Sequence, residues 1–149
     1  LSGIRLAFEN DKKLLIEPAV EGREIEIAVY GNEAPTASVC GEIIPHSDFY
    51  DYETKYINDS AECIAPAEIA PEVSDKMREA ACRVYKALGC AGLSRVDFFL
   101  TDKGFMLNEI NTLPGFTPIS MYPKLMQCMG VSYGELITGL AELAEKRHG

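Results

Sequence analysis

Apolar residues recur along the chain with two periods, one typical of β-strands and one typical of α-helices. The two-residue period predicts strands with one face on a core and one face in solvent. The clearest case is residues 22–30, where Ile25, Ile27 and Val29 alternate with polar residues. The segments predicted to be strands are residues 13–20, 22–30, 36–44 and the two arms of a hairpin within residues 93–111.

The helical period predicts a helix between Pro71 and Gly89, because proline is favoured in the first turn of a helix and glycine just after its end. The last helix begins with Ser132 and Glu135, which have the spacing of a capping box. Shorter helices are predicted at residues 4–10 and 119–129. Together these elements predict an α+β fold, with a mainly antiparallel sheet and helices packed on one side.

Composition narrows the class of protein. The chain has 149 residues, of which 47% are hydrophobic, and this is enough for a single domain with a core. The formal net charge of −9 argues against a nucleic-acid surface. No apolar run approaches the ~18 residues of a membrane span, so neither nucleic acid nor membrane is expected as a partner. The five cysteines are widely spaced without a C-x-x-C pair, which favours reduced thiols and a cytoplasmic location.

Residues 45–60 have no hydrophobic period but are rich in aromatic residues. A loop of this length without regular structure is usually functional or disordered. The aromatic content argues against disorder, so we predict an ordered functional loop, and we expect it to act as a lid.

The segment from Arg95 to Asn111 places polar residues among apolar ones. A three-residue loop ending at Gly104 would pair Asp97 with Glu109 and Arg95 with Asn111. Paired residues of an antiparallel hairpin share a face, so these four side chains are expected to form one polar cluster at the open end of the hairpin.

Two facing carboxylates repel each other unless an arginine, a shared proton or a cation neutralises them. Carboxylate and amide oxygens suit Mg²⁺, and a neighbouring arginine suits phosphate or a developing oxyanion. From the spacing alone, a solvated hairpin end with an arginine–carboxylate bridge explains the residues equally well. A register shift of one residue would weaken the metal interpretation.

The next segment contains a second candidate for ligand binding. Pro114 and Gly115 predict a tight turn, and glycine permits close approach of the backbone to a ligand. Ser120 is expected at a helix N-terminus, where backbone N–H groups favour an anion. An ordinary loop with an N-cap serine is the alternative.

Several motifs in this order resemble the D-alanine–D-alanine ligases, which are ATP-grasp enzymes. The motifs are Arg95-Val-Asp97, Asn108-Glu-Ile-Asn-Thr-Leu-Pro-Gly115, Ser120-Met-Tyr-Pro, the loop from Phe49 to Tyr56, and residues 15–29. They cover nearly the whole chain. The resemblance implies ATP-dependent ligation of two D-alanines through an acyl phosphate, for synthesis of peptidoglycan precursors.

The resemblance also implies roles for particular residues. Two Mg²⁺ ions, with Mn²⁺ as an alternative, would be held by Asp97, Glu109 and Asn111, with Glu109 bridging. The catalytic residues would be Arg95 and the Gly115 amide, which stabilise the tetrahedral intermediate, and Tyr56 beside the second substrate. ATP would be bound by Glu17 at the adenine amino group, the backbone at Ala19 and Val20, Glu24 at the ribose and Lys55 at the terminal phosphate. The carboxylate of the second amino acid would be bound by Ser120 and Met121. Taken singly, Glu17, Glu24 and Lys55 are equally compatible with exposed surface positions.

The family is about twice as long as this chain. The expected organisation is therefore the end of a central ATP-grasp lobe and hinge in residues 1–21, and the C-terminal ATP-grasp domain in residues 22–149. The N-terminal substrate domain would be absent, the chain alone inactive and the full-length protein a homodimer. The alternatives are a D-alanine–D-serine or D-alanine–D-lactate ligase, another ATP-grasp carboxylate–amine ligase, and a non-catalytic nucleotide- or metal-binding module.

Overall fold

The fold is a five-stranded sheet with helices, in a computed structural model that describes residues 2–45, 61–117 and 119–148. The helices are α1 (Ser2–Asn10), α2 (Pro71–Ala87), α3 (Met121–Cys128) and α4 (Tyr133–His148). The strands are β1 (Arg23–Gly31), β2 (Thr36–Pro45), β3 (Ala61–Ile64), β4 (Gly92–Thr101) and β5 (Gly104–Asn111). The predicted lid, with Lys55 and Tyr56, lies outside the described residues.

The strands lie in the order β3-β2-β1-β4-β5, and each neighbouring pair is antiparallel. The α+β class and the antiparallel sheet are therefore confirmed. The central strand is β1, so its side chains have neighbours on both sides within the sheet and can be buried on both of its faces.

The two faces of β1 pack against different helices. Ile25, Ile27 and Val29 are fully buried and share one hydrophobic cluster with Met77 of α2. Ala28 points to the opposite face and is buried in a second cluster. The other buried members of that second cluster are Ile43 of β2, Met121, Tyr122, Leu125 and Met126 of α3, and Leu136 of α4.

The prediction that the helices pack on one side of the sheet is therefore wrong. The even-numbered positions of β1 were expected to face solvent, because they include charged residues. Instead α3 and α4 cover part of that face, while α2 covers the other face.

Residues 13–20, predicted to be a strand, have no regular secondary structure. The apolar pattern there is real, but Leu15 is 87% exposed and Ile16 is 79% exposed. Helix α1 likewise has no buried residue. An apolar period forms a strand only where a neighbouring strand and a core stabilise it, and neither covers this segment within the described ranges.

The predicted helix ends are confirmed. Gly89 follows α2 with a φ of +65°. At the start of α4, the Ser132 backbone N–H donates to Glu135 Oε2 at 2.9 Å, and the Glu135 N–H donates to Ser132 Oγ at 3.3 Å, which is a reciprocal capping box. In the part of the chain that the structure describes, no helix combines the length and apolar character needed to cross a membrane.

Two buried tyrosines connect the helices to β1 from opposite faces. The Tyr85 hydroxyl of α2 donates to the Gly31 carbonyl at 2.7 Å, and the Tyr122 hydroxyl of α3 donates to the Val29 carbonyl at 3.0 Å. Burial raises the pKa of Tyr85 to about 12 and also raises the pKa of Tyr122. Both hydroxyls must stay protonated to donate these hydrogen bonds.

These tyrosines should make the protein sensitive to alkaline pH. Their folded-state pKa values lie above the unfolded value of about 10, so the stability they contribute is fully present below about pH 10 and is lost as the pH rises through the folded-state values. In a spectrophotometric titration, tyrosinate absorbance should show a late phase that coincides with loss of the circular dichroism signal. Tyr122→Phe should reduce the amplitude of that phase. Titration of every tyrosine near pH ~10 in the folded protein would contradict this assignment.

Candidate active site

The hairpin of β4 and β5 closes with a two-residue turn, not the predicted three-residue loop. Thr101 pairs with Gly104, so only Asp102 and Lys103 lie in the turn. Gly104 has a φ of +123°, a backbone conformation that residues other than glycine rarely adopt. The pairs nearest the turn are consequently shifted by one residue from the expected register.

A β-bulge restores the predicted register before the polar residues begin. The register shifts just beside Asp97, where Asn108 is the extra residue on β5. Beyond the bulge, Asp97 pairs with Glu109 and Arg95 pairs with Asn111, as predicted. The shorter turn and the bulge therefore cancel, and the four polar side chains share one face.

Strand β1 extends this face with a residue that the sequence analysis missed. Glu26 pairs with Asp97 across β1 and β4, so Glu26, Asp97 and Glu109 are successive neighbours across three strands. Glu26 is 6% exposed and Asp97 is 8% exposed, whereas Glu109 is exposed. Glu26 was missed because it lies between Ile25 and Ile27 in the alternating pattern, which predicted that its side chain would face solvent. The β1–β4 pairing, which the sequence does not specify, reveals its position.

Arg95 is the cation that balances these carboxylates. Its Nε donates to Asp97 Oδ1 at 2.8 Å and its Nη2 donates to Asp97 Oδ2 at 2.8 Å, in a bidentate pair. The same Nε lies 3.2 Å from Glu26 Oε2 in a second ion pair. The Arg95 side chain is only 12% exposed, so these contacts are poorly screened by solvent.

Burial by itself would lower the pKa of the Arg95 guanidinium. The hydrogen bonds to Asp97 and the charges of Glu26, Asp97 and Glu109 outweigh burial, and the net pKa is raised. Arg95 is therefore charged at every pH at which the protein is folded, and it contributes a fixed positive charge to this face.

Asn111 links the two carboxylates of the hairpin. Its Nδ2 donates to Asp97 Oδ2 at 3.0 Å and to Glu109 Oε1 at 3.1 Å. A guanidinium and an amide thus hold the carboxylates in place. The cluster fits a cation by the chemistry of its oxygens.

A metal ion at this face would share Asp97 with Arg95. Both oxygens of Asp97 accept hydrogen bonds from Arg95, so an ion bound by Asp97 would compete with the guanidinium for the same carboxylate. Across residues 2–45, 61–117 and 119–148, His, Cys, Asp and Glu side chains do not form a group of three that could hold a metal ion. A metal site here would use two carboxylates and the Asn111 amide oxygen.

Gly115 lies close to the start of α3, but residues 114–116 do not form the predicted tight turn. A Cβ added at Gly115 would lie 3.1 Å from Ser120 Oγ. Ser120 is the N-cap residue of α3, so the alternative of an N-cap serine remains open. Its hydroxyl accepts a hydrogen bond from the Thr117 N–H at 3.0 Å and makes no capping hydrogen bond to α3. Met121 is 4% exposed with its side chain in the core, which leaves its backbone N–H as the group that could bind a ligand.

The residues expected to bind ATP are less closely organised. Glu24 lies half-buried on β1, two residues before Glu26 and on the same face. Glu17 and Ala19 are exposed and Val20 is half-buried, all in the segment without regular structure. No hydrogen bond joins Glu17 or Glu24 to the hairpin face among the residues described. The structure therefore brings together the metal and catalytic candidates of the hairpin but not the nucleotide candidates.

Comparison with known proteins shows the family of this chain. Residues 2–142 match the family model described as D-ala D-ala ligase C-terminus. The chain belongs to this family. The D-alanine--D-alanine ligase A of Escherichia coli K12 is 58% identical over 147 residues, which cover 97% of this chain and 40% of that protein. The chain thus spans less than half the length of this ligase relative.

Two solved ligase structures share the fold. The VanG D-Ala:D-Ser ligase from Enterococcus faecalis superposes with a TM-score of 0.84 at 40% identity, over 95% of this chain and 42% of that one. The D-alanine--D-alanine ligase from Bacillus anthracis complexed with ATP gives a TM-score of 0.81 at 29% identity, over 99% and 49% of the two chains. Both are similar to this chain along almost its whole length.

Proposed function

We propose that this chain is the C-terminal ATP-grasp region of a D-alanine–D-alanine ligase, which joins two D-alanines at the expense of ATP for peptidoglycan synthesis. The observation that carries the proposal is the polar face of the hairpin, where Arg95, Asp97, Glu109 and Asn111 meet. Membership of the D-ala D-ala ligase C-terminus family supports the same activity. The activity belongs to the ligase that contains this region.

The reaction explains why such a face is needed. A carboxylate is a poor acylating agent, and phosphorylation by ATP converts it into an acyl phosphate that the amine of the second amino acid can attack. Asp97, Glu109 and Asn111 would hold Mg²⁺, which neutralises the negative charge of the phosphoryl group in transit. Their adjacent positions on β4 and β5 place the oxygens on a rigid sheet instead of a mobile loop.

Arg95 would stabilise negative charge that develops during attack on the acyl phosphate. It is buried, permanently charged and supported by acidic neighbours, so it needs little reorganisation when the charge appears. The Gly115 N–H would supply a second donor. Glycine at this position keeps the space toward Ser120 Oγ open.

The start of α3 would bind the carboxylate of the second D-alanine. The Ser120 hydroxyl is held there by the Thr117 N–H. The Met121 N–H belongs to the first turn of α3, whose N–H groups have no partner within the helix and favour an anion. Tyr56 would lie beside this substrate.

ATP would lie on the sheet face that carries Glu26 and Asp97, toward the end of β1 where Glu24 lies. Glu24 would bind the ribose, Glu17 and the backbone at Ala19 and Val20 the adenine, and Lys55 the terminal phosphate. The position of Glu24 on the face of β1 that carries Glu26 supports this direction. The ATP complex of the Bacillus anthracis ligase supports nucleotide binding by this fold.

Residues 1–21 would belong to a neighbouring lobe and hinge, and residues 22–149 to the C-terminal domain. The exposed apolar side chains of the first segment support this division, and they are Ile4, Leu6, Phe8, Leu15 and Ile16. The chain alone would then be inactive, and the complete ligase would work as a cytoplasmic homodimer.

D-Serine is a second candidate for the amine substrate. The VanG D-Ala:D-Ser ligase is 40% identical to this chain, so the fold of this region is compatible with that chemistry. A carboxylate-binding helix start would serve either amino acid equally. Kinetics with D-alanine, D-serine and D-lactate distinguish the three ligase activities.

Glu109→Gln should severely weaken binding of Mg²⁺ together with a nucleotide to the complete ligase. The change keeps the size of the side chain but removes one of the two carboxylates that the metal would share. Isothermal titration calorimetry measures the effect directly. Glu62→Gln is the matched control, because Glu62 is an exposed glutamate on β3 at the opposite edge of the sheet. Equal binding by wild type and Glu109→Gln would remove Glu109 from the metal site.

Ser120→Ala should raise the KM for the second D-alanine roughly tenfold to a hundredfold, because it removes a hydrogen bond to a charged group worth ~1.5–3 kcal/mol. The KM for ATP should change little. Thr138→Ala removes an exposed hydroxyl from α4 and serves as the control in the same steady-state assay. A Ser120→Ala enzyme with weakened ATP binding and an unchanged KM for D-alanine would place the substrate pocket elsewhere.

A further inference from the structure

The hairpin face contains a buried glutamate to which the proposed reaction gives no role. Glu26 lies in β1, and its side chain is 8% exposed beside an Arg95 side chain that is 12% exposed. A carboxylate this deeply buried is costly unless it has a cationic partner. The partner here is Arg95, whose Nε is 3.2 Å from Glu26 Oε2.

The proposed function creates a conflict at Arg95. Both oxygens of Asp97 accept hydrogen bonds from the guanidinium, yet metal binding requires the same carboxylate. A metal ion that draws the Asp97 carboxylate toward it would weaken this bidentate pair. A long side chain held less firmly by Asp97 would be freer to leave the position in which it would stabilise the reaction.

The cross-strand geometry suggests what keeps Arg95 in place. Glu26 and Glu109 lie on opposite sides of Asp97 in the sheet. Glu109 is exposed and bound by Asn111, whereas Glu26 is buried and contacts the Nε of Arg95. Release of Asp97 therefore leaves Glu26 as the carboxylate nearest to the Nε–H.

Helix α3 lies close to the sheet beside Glu26. Gly41 is the β2 neighbour of Glu26, and a Cβ added there would lie 2.8 Å from the Met121 sulfur and 3.0 Å from Leu125. The absence of a side chain at Gly41 thus allows α3 to approach. The close packing of α3 there is consistent with the burial of Glu26, and it limits the screening of the Glu26–Arg95 pair by water.

A direct role for Glu26 in metal binding is less consistent with the structure. Glu26, Asp97 and Glu109 do not form a group that could hold a metal ion, in the residues that the structure describes. The contact of Glu26 is with the guanidinium.

We propose that Glu26 is a positioning residue, which holds the Arg95 guanidinium in place when Asp97 turns to the metal. The proposal rests on the proposed function, because it assumes that Asp97 binds metal and that Arg95 stabilises the reacting group. Glu26 acts through Arg95 and need not touch substrate. Its negative charge is what matters, since a neutral side chain of the same size cannot replace Asp97 as an ionic partner.

The Arg95 Nε–H resonance of the complete ligase, observed by NMR, tests this role. In the wild type it should remain sharp and protected from solvent exchange both before and after addition of Mg²⁺ with a non-hydrolysable ATP analogue. In Glu26→Gln it should be protected before the addition, because Asp97 still binds it, and broadened or lost afterwards. A purely structural role for Glu26 would not depend on the nucleotide.

Glu42→Gln is the matched control for this experiment. Glu42 is also a buried glutamate of the sheet paired with an arginine, at 2.6 Å from Arg23 Nη2, but it lies outside the hairpin face. Its loss should destabilise the protein while leaving the Arg95 resonance as in wild type.

Glu26→Gln should also lower kcat roughly 10- to 100-fold with the KM for ATP nearly unchanged, as expected for a residue that orients a catalytic group.

Asp97→Ala tests the same contact without ligand and without any change at Glu26. Arg95 should keep a protected Nε–H in this variant, because Glu26 still holds it. Loss of protection of the Arg95 Nε–H in Asp97→Ala would overturn the positioning role. The same would follow if the Arg95 resonance behaved identically in nucleotide-bound wild type and nucleotide-bound Glu26→Gln. Either result would leave the proposed function intact. Failure of the wild type to bind Mg²⁺ with the nucleotide would overturn both proposals.

Discussion

The balance of charge between Arg95 and the carboxylates around it is the constraint on which the candidate site depends. Glu26, Asp97 and Glu109 are neighbours on three strands, where like charges would repel one another. Arg95 lies among them with contacts of 2.8 Å to Asp97 and 3.2 Å to Glu26. Breaking a buried ion pair from one side typically costs ~3–5 kcal/mol, so the arginine is a requirement of the fold as well as of the proposed chemistry.

Other features of the fold keep this charge cluster together. The bulge at Asn108 aligns β5 so that Glu109 and Asn111 face the same side as their partners on β4. Helix α3 packs beside the cluster, and its Tyr122 hydroxyl bonds to β1 at Val29. The opposite face of β1 is mostly apolar and packs on α2. The sheet face that packs on α2 thus contributes hydrophobic burial. The opposite face is covered in part by α3 and α4, and its remaining part carries the candidate site.

The sequence predicted the parts of this arrangement that depend on local pattern. The capping box at Ser132 and the helix end at Gly89 follow from a few neighbouring residues, and both are confirmed. The pairing of Asp97 with Glu109 was correct, although the turn was not. The expected loop was one residue too long and the bulge was not expected, so two differences cancelled.

Features that depend on distant contacts were not accessible from the pattern. Glu26 is buried because β1 pairs with β4 and because α3 packs close to the sheet beside it. The residues next to Glu26 in the sequence indicate neither the strand pairing nor the helix packing. The placement of helices on both faces has the same origin. In residues 13–20 the pattern predicted a strand, but Leu15 and Ile16 are largely exposed, so propensity without a packing partner did not produce one.

The proposed exchange of the Arg95 partner from Asp97 to Glu26 on metal binding is tested most directly by a crystal structure of the complete ligase with Mg²⁺ and a non-hydrolysable ATP analogue. In that structure, Asp97, Glu109 and Asn111 should bind the metal. The Arg95 Nε–H should be within hydrogen-bonding distance of Glu26 and should face the phosphate. A structure in which Asp97 keeps both hydrogen bonds to Arg95 while the metal is held elsewhere would contradict it.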